Sequence, residues 1–306
     1  MAARKQFDVL GLGCAAVDEI LYVARYPGAD AKVHVLRRER HCGGLTATAL
    51  VAATRLGAKC AFAGTLGFDE GSEFVLETFR RETVNVRHSV RRHDAGPVRS
   101  VIVVDERRRT RNIFAYIDEA RGADAKLPGP EVIESARVLF IDYFGLAGNL
   151  RAARLARAAG VPIVSDLEHT QLPGMKRLIP LIDHPIFSQR AAEELSGETN
   201  PGRAAVKIWN DSRAVVVVTC GERGAWFVSR ERRQSQHVSA FRVNAVDTTG
   251  CGDVFHGAYA AALAKGLPVE ERIRFASATA ALKATKHGGQ TGIPTLRAVN
   301  EFLRQQ

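Results

Sequence analysis

Short apolar runs alternate with stretches of helical period along most of this 306-residue chain. Phe7–Gly11, Lys59–Gly64, Val138–Tyr143, Pro162–Asp166, Pro185–Ser188, Ala214–Thr219 and Ala225–Ser229 are short and mostly apolar. Runs of this kind predict strands buried on both faces. Between them, helical spacing predicts helices over Leu45–Leu56, Ser72–Glu82, Leu150–Ala159, Ala191–Ser196, Arg203–Asn210, Cys251–Lys265, Glu271–Lys286 and Thr295–Arg304. That alternation implies a mostly parallel sheet covered by helices. Two regions break the rhythm. Ile20–Arg25 with Val33–Arg38, and Arg99–Val104 with Arg111–Tyr116, read as extended pairs joined by turns. No composition break, linker or internal repeat divides the chain, so residues 1–306 are expected to form one α/β domain.

The chemistry gathers at Asp247-Thr-Thr-Gly-Cys-Gly-Asp253. Phe241–Val246 before it reads as a strand, and Val254, Ala258 and Ala262 after it recur at helical spacing. The glycines then sit where a strand passes into a helix, and unpaired N–H groups with the positive end of the helix dipole face any anion. Gly250 and Gly252 let a phosphate approach the main chain. A carboxylate at that place would repel a phosphate. As a general base for a hydroxyl attacking the phosphate it makes chemical sense. On the residues alone, Asp253 is equally an ordinary first-turn acid that favours the helix dipole.

The Asp-Thr-Thr-Gly-Cys-Gly-Asp run is similar to the C-terminal signature of the ribokinase-like (PfkB-type) carbohydrate kinases. Three further stretches fit in the family's order: Cys42–Gly57 with Ala63–Ser72, Val216–Trp226, and Phe275–Gly289 with Ile293-Pro294. The resemblance implies a ribokinase-like three-layer α/β/α fold. Its small β-sheet lid over the sugar site would be inserted at about residues 14–42 and 97–117, and often doubles as a homodimer interface. It implies ATP with Mg2+ as cofactors and a sugar hydroxyl as acceptor. Asp253 becomes the base, and the N–H groups of Gly250, Cys251 and Gly252 the hole for the transferring phosphoryl group. Asp18, Gly43, Gly44 and Thr48 fall on the sugar side, with Thr48 where the family commonly carries Asn. Thr219, Gly221, Gly224 and Ser277 fall on the nucleotide side. Asp247 and the Thr249 carbonyl, with the Lys286–Gly289 loop, match a site for a monovalent cation such as K+; equally, Asp247 braces the loop. The family's Asn-x-x-Glu element maps onto Ser188–Ala191, so both of its hallmark residues are missing. Cys251 replaces the usual Ala, and a thiol at a helix N-terminus is expected to have a lowered pKa and to be open to oxidation.

The C-terminal third is most similar to the sulfofructose kinase and ketohexokinase side of the family. The positions expected to meet a sulfonate hold Ala115 and Phe144, which favours a neutral ketose such as fructose or a related small sugar. Arg109 and Arg111 beside the lid leave a sugar phosphate open. A nucleoside kinase of the same fold, for which Phe114 and Tyr116 of the lid could sandwich a base, and a silent sugar-binding regulator are the alternatives. Gly11–Ala16 mimics a dinucleotide fingerprint, but a β-like segment ending at Pro27 follows where a long helix is required.

Composition changes little. The net charge of +10 comes from scattered basic clusters without interleaved aromatics, so nucleic acid is not an expected partner, while a positive field suits an anionic nucleotide. No apolar run approaches bilayer-spanning length, the N-terminus shows no signal-peptide pattern, and the five cysteines lack metal-ligand spacing. Cytoplasmic localisation with reduced thiols, and no membrane partner, is the expectation.

Overall fold

A computed structural model describes residues 5–108, 110–116 and 121–306. Eight strands form the central sheet: β1 (Phe7–Leu12), β4 (Cys60–Phe62), β10 (Ala136–Ile141), β11 (Ile163–Asp166), β12 (His184–Ser188), β13 (Val215–Thr219), β14 (Ala225–Ser229) and β15 (Gln236–Val238). Their order is β15-β14-β13-β12-β11-β10-β1-β4, parallel except for the two antiparallel pairings made by β14. Alternate residues of each strand enter two separate cores. Val9, Val138, Phe140, Val164, Ile186 and Val217 face α1 (Leu45–Arg55), α2 (Glu70–Arg81), α8 (Cys251–Ala264), α9 (Val269–Ala284) and α10 (Leu296–Arg304). Leu10, Leu12, Leu139, Ile141, Ile163 and Val218 face α3 (Pro130–Glu134), α4 (Leu146–Ala158), α5 (Met175–Leu178), α6 (Gln189–Ser196) and α7 (Pro201–Ile208). Burial on both faces is why these strands read as continuous apolar runs.

A second sheet, β3-β2-β7-β8, projects from this body as the lid: β2 (Ala16–Val23), β3 (Arg37–Gly43), β7 (Val98–Asp105) and β8 (Thr110–Tyr116). A small third sheet joins β5 (Gly64–Leu66), β6 (Val90–Arg91) and β9 (Gly122–Ala123). The expected run Lys59–Gly64 is therefore split between two sheets.

Two expected strands are displaced. Val33–Arg38 is not the partner of β2; the pairing strand begins at Arg37, and residues 31–36 are irregular and exposed. The true strand, Arg-Arg-Glu-Arg-His-Cys-Gly, lacks apolar alternation because charge pairs join its solvated face to β2, including Arg38–Glu19 at 2.9 Å and Arg40–Glu19 at 3.3 Å. Phe241–Val246 joins no sheet, since the edge of β14 is already taken by β15. Its end is held by a helix instead: Val246 and Asp247 N–H groups donate to the Ala284 carbonyl at 2.7 and 3.1 Å. Arg109, position 117 and the chain start lie outside the described residues.

The carboxyl ends of β1, β10, β11, β12 and β13 open toward one side of the sheet, the place where doubly wound folds bind ligands. The lid and the N-terminus of α8 meet there.

Candidate active site

Helix α8 starts at Gly250, which has φ of +73° and no side-chain cap. The first-turn N–H groups of Gly252 and Asp253 therefore have no intrahelical partner. Cys251 differs, because its N–H donates to the Thr248 carbonyl at 3.2 Å and closes the turn. Of the three backbone donors expected here, that one is already engaged. A Cβ built on Gly252 would meet nothing within 4 Å. The helix mouth is open at that point, the arrangement an approaching phosphate needs.

Asp253 stands in the first turn of α8. Burial pushes its carboxyl well above the usual carboxylate range; Asp166, Glu168 and Asp18 add like-charge repulsion, and His256 opposes them. Asp166 and Glu168 are residues that sequence reasoning missed. Asp166 ends the buried strand β11, and a carboxylate at the carboxyl end of a parallel strand was the available signal. His256, one helical turn after Asp253, was also missed. Both Asp166 and His256 are only 4 % exposed, with Nδ1 3.4 Å from the Asp166 Oδ2. The imidazole also spans two carbonyls, Gly252 O at 2.7 Å from Nδ1 and Ile186 O at 3.3 Å from Nε2. It thus ties the first turn of α8 to β11 and β12.

Of the residues expected on the sugar side, Asp18 of β2 lies opposite His41 of β3 and Ser100 of β7. The Ser100 hydroxyl donates to the Asp18 carboxylate, whose pKa is raised by burial against the opposing pull of Ser100 and His41. A Cβ on Gly43 would fall 2.3 Å from the Asp18 Oδ2, so the diglycine seats the acid. Thr48 lies on α1 beside the α8 mouth, its Cγ2 3.6 Å from where a Cβ on Gly250 would stand. It is 2 % exposed, and its hydroxyl accepts a hydrogen bond from Gln290 at 3.3 Å, a contact between α1 and the C-terminal loop. Asp142, a third missed acid, locks the floor. Its Oδ2 accepts the Cys14 N–H at 2.7 Å and the Thr46 hydroxyl at 2.8 Å, and burial pushes its pKa up to about 6.

The lid aromatics bear on the nucleoside alternative. In the β7–β8 register Ala115 pairs with Ser100, whereas Phe114 pairs with Val101 and Tyr116 with Arg99. Because strand residues alternate, Phe114 and Tyr116 lie on the lid face away from Asp18. A cavity of about 600 Å³ is lined by Glu19, Val101, Phe114 and Tyr116 together with Ser100 and Ala115 of the other face.

Of the residues expected on the nucleotide side, Thr219 ends β13 and its hydroxyl donates to the Phe187 carbonyl at 3.3 Å. Gly221 opens the short turn that follows and borders open space, while a Cβ on Gly224 would meet the Val238 carbonyl at 2.1 Å. Gly224 therefore packs the turn against β15. Ser277 is half-buried on α9, the helix that also receives the Cys251 thiol at 3.6 Å on the Ala280 carbonyl. Burial raises the Cys251 pKa, and the Sγ faces a carbonyl oxygen, which favours the thiol form. The expected lowering is reversed. In the Ser188–Ala191 element, Ser188 caps α6 by accepting the Ala191 N–H at 3.2 Å.

An open, uncapped helix mouth, a carboxylate in its first turn and a second carboxylate on a lid are the parts that a phosphotransferase with an alcohol acceptor needs. Residues 8–296 match the pfkB family of carbohydrate kinases, and the chain belongs to that family. It is a kinase acting on sugar hydroxyl groups. A ribokinase of Haemophilus influenzae is 32 % identical, covering 98 % of this chain and 99 % of its own length. Fructokinase-1 of Oryza sativa subsp. japonica is 28 % identical, with 96 % of this chain and 97 % of the relative covered. The fold matches the structure of Arabidopsis thaliana ribokinase complexed with ribose and ATP, with a TM-score of 0.86, 21 % identity and 99 % of each chain covered.

Proposed function

We propose that the protein transfers the γ-phosphoryl group of ATP to a hydroxyl of a small neutral sugar, either a ketose such as fructose or a related sugar. The carrying observation is the pairing of Asp253 with the open Gly252 position at one helix mouth. Asp18 orients the sugar, assisted by Ser100 and the close-fitting Gly43. Asp253 accepts the proton of the attacking hydroxyl. The Gly252 and Asp253 N–H groups, with the α8 dipole, stabilise charge on the transferring phosphoryl group, and Gly250 shapes the turn that aims them. Thr219, Gly221 and Ser277 line the nucleotide's path. Closure of the lid over the sugar excludes the water that would otherwise compete for the phosphoryl group.

Magnesium fits this site only as a companion of the nucleotide. Ser188 is spent as a helix cap, and among the described residues no group of three or more His, Cys, Asp or Glu side chains is placed to hold a metal ion. When bound, Mg2+ would neutralise phosphate charge. The neutral substrate is supported by Ala115 on the Asp18 face of the lid, and the ribokinase and fructokinase relatives bracket the sugar class. The outward placement of Phe114 and Tyr116 disfavours the nucleoside reading. Their exposure, 54 and 65 %, suits the outer lid face to pairing with a second copy of the chain.

An ADP-release screen over ketoses, aldoses, their phosphates and nucleosides tests the assignment. Wild type should turn over a neutral sugar, and Asp253→Asn should lose about 10²–10⁴-fold in turnover while retaining nucleotide binding. Near-normal rates in that variant would remove the mechanism.

A further inference from the structure

Lys283 stands in the last turn of α9 and is completely buried, with 0 % of its surface exposed. A buried ammonium is costly unless acceptors meet its protons. Its Nζ donates to the backbone carbonyl of Asp247 at 2.8 Å. Both carboxylate oxygens of Asp247 are also engaged, accepting the N–H groups of Thr249 at 2.8 Å and Gly288 at 2.9 Å. Lys283 thus stands under the loop that leads to Gly250, its ammonium held on the Asp247 carbonyl. Burial lowers its pKa and Arg111 adds to that, while Cys251, Asp247 and Asp253 favour the charged form.

A scaffold role does not require that ammonium. The buried α9 positions Ile273, Phe275, Ala276 and Ala278 are apolar, and a methionine would fill the volume of Lys283 without desolvating a charge.

This is also where the family resemblance leads one to expect a monovalent cation. The residues do not suit an added ion. Three oxygens of Asp247 already accept hydrogen bonds, and a second cation would meet the charge of Lys283.

We propose that Lys283 is this site's own monovalent cation: a fixed ammonium that orders residues 247–250 and adds positive charge to the phosphate-binding mouth, so that no K+ is required. The idea rests on the kinase reading above, and two readouts keep the two separable. Turnover and melting temperature are measured in chloride salts of K+, NH4+, Na+ and tetramethylammonium at equal ionic strength. Wild type should be indifferent to the cation in both. Lys283→Ala, which opens space, should lose about 10- to 100-fold in turnover in tetramethylammonium. K+ or NH4+ should then restore most of that loss and raise the variant's melting temperature selectively. Lys283→Met, which keeps the space filled, should be equally impaired and not restored.

A wild-type enzyme activated several-fold, or selectively stabilised, by K+ would overturn the proposal. So would a Lys283→Ala or Lys283→Met variant that matches wild type in tetramethylammonium. If no sugar is phosphorylated, the kinase reading falls, while the melting series still judges the lysine. If the alanine variant does not fold, the wild-type ion series and the methionine variant decide.

Discussion

Helices α1 and α8 both begin at an uncapped glycine with positive φ, at Gly44 and Gly250, and in the sequence they carry the same cue. Their surroundings differ. A Cβ on Gly44 would come 2.7 Å from the Ala15 Cα, and one on Gly43 2.3 Å from the Asp18 carboxylate. A Cβ on Gly252, in the first turn of α8, would touch nothing. The first pair of glycines lets the chain fold tightly around the carboxylate of Asp18. The glycine at α8 borders open space at the helix mouth. One signature can thus mark either a packing demand or an open helix mouth, and only the neighbours tell which.

Alanine substitutions break that comparison most directly. Gly44→Ala should destabilise by about 2–3 kcal/mol, through its left-handed backbone and the backbone contact with Ala15. Gly252→Ala should fold at least as well as wild type, because alanine is favoured over glycine in a helix by up to about 1 kcal/mol. Its cost should appear in turnover instead, about tenfold or more, since a methyl group displaces the phosphoryl group from its aligned position. Melting curves and steady-state kinetics on the two variants check both halves. If Gly252→Ala unfolds early while turning over normally, the open mouth is not a ligand site.

A smaller effect separates the two carboxylates of the cleft, Asp18 and Asp253. Asp18 has an engaged partner in Ser100, while Asp253 is raised first by burial and then by Asp166. A base must be deprotonated, so the acidic limb of kcat/KM should lie above the ordinary carboxylate range. Asp166→Asn removes one like charge, and the limb should move to lower pH without reaching the unperturbed position, because burial remains. The stability sign follows from the same shifts. Asp166 and Asp253 bind protons more tightly folded than unfolded. Their contribution is therefore greatest below the unfolded carboxylate pKa and is lost as pH rises through the folded values. Asp166→Asn should accordingly raise stability near neutral pH. An unmoved limb would show that Asp166 does not act on the base.

How much of this was legible follows the same division. The strands of the central sheet announced themselves because burial on both faces makes them uniformly apolar. The lid strand β3 did not, because its solvated face is held by charge pairs, and apolar Val33 and Val35 in the neighbouring loop imitated a strand. Asp253 and the glycines beside it stand out by local pattern, whereas Asp18, Gly43 and Gly44 draw notice only through the family resemblance. Asp142, Asp166, His256 and Lys283 do neither, because each reaches its partners through the tertiary fold: Asp142 bonds Cys14 and Thr46, and Lys283 bonds Asp247. A lysine in an otherwise alanine-rich helix stretch was a signal in plain view, yet its meaning depended on which carbonyl lay above it.

Cys251 carries the smallest expected effect and corrects an argument from position alone. A helix N-terminus lowers a thiol pKa only when the sulfur faces the N–H groups. Here the backbone of Cys251 sits at the helix mouth, while its Sγ turns away to the Ala280 carbonyl, and burial raises its pKa. The remaining thiols offer no easier target, since Cys14, Cys42 and Cys60 are buried and burial pushes half-buried Cys220 up to about 11. Treatment with a thiol-blocking reagent at neutral pH should therefore leave turnover unchanged, with labelling followed by mass spectrometry. Rapid modification of Cys251 with loss of nucleotide binding would mean that the sulfur swings into the mouth, and that the contrast between an open Gly252 and a filled Cys251 position is wrong.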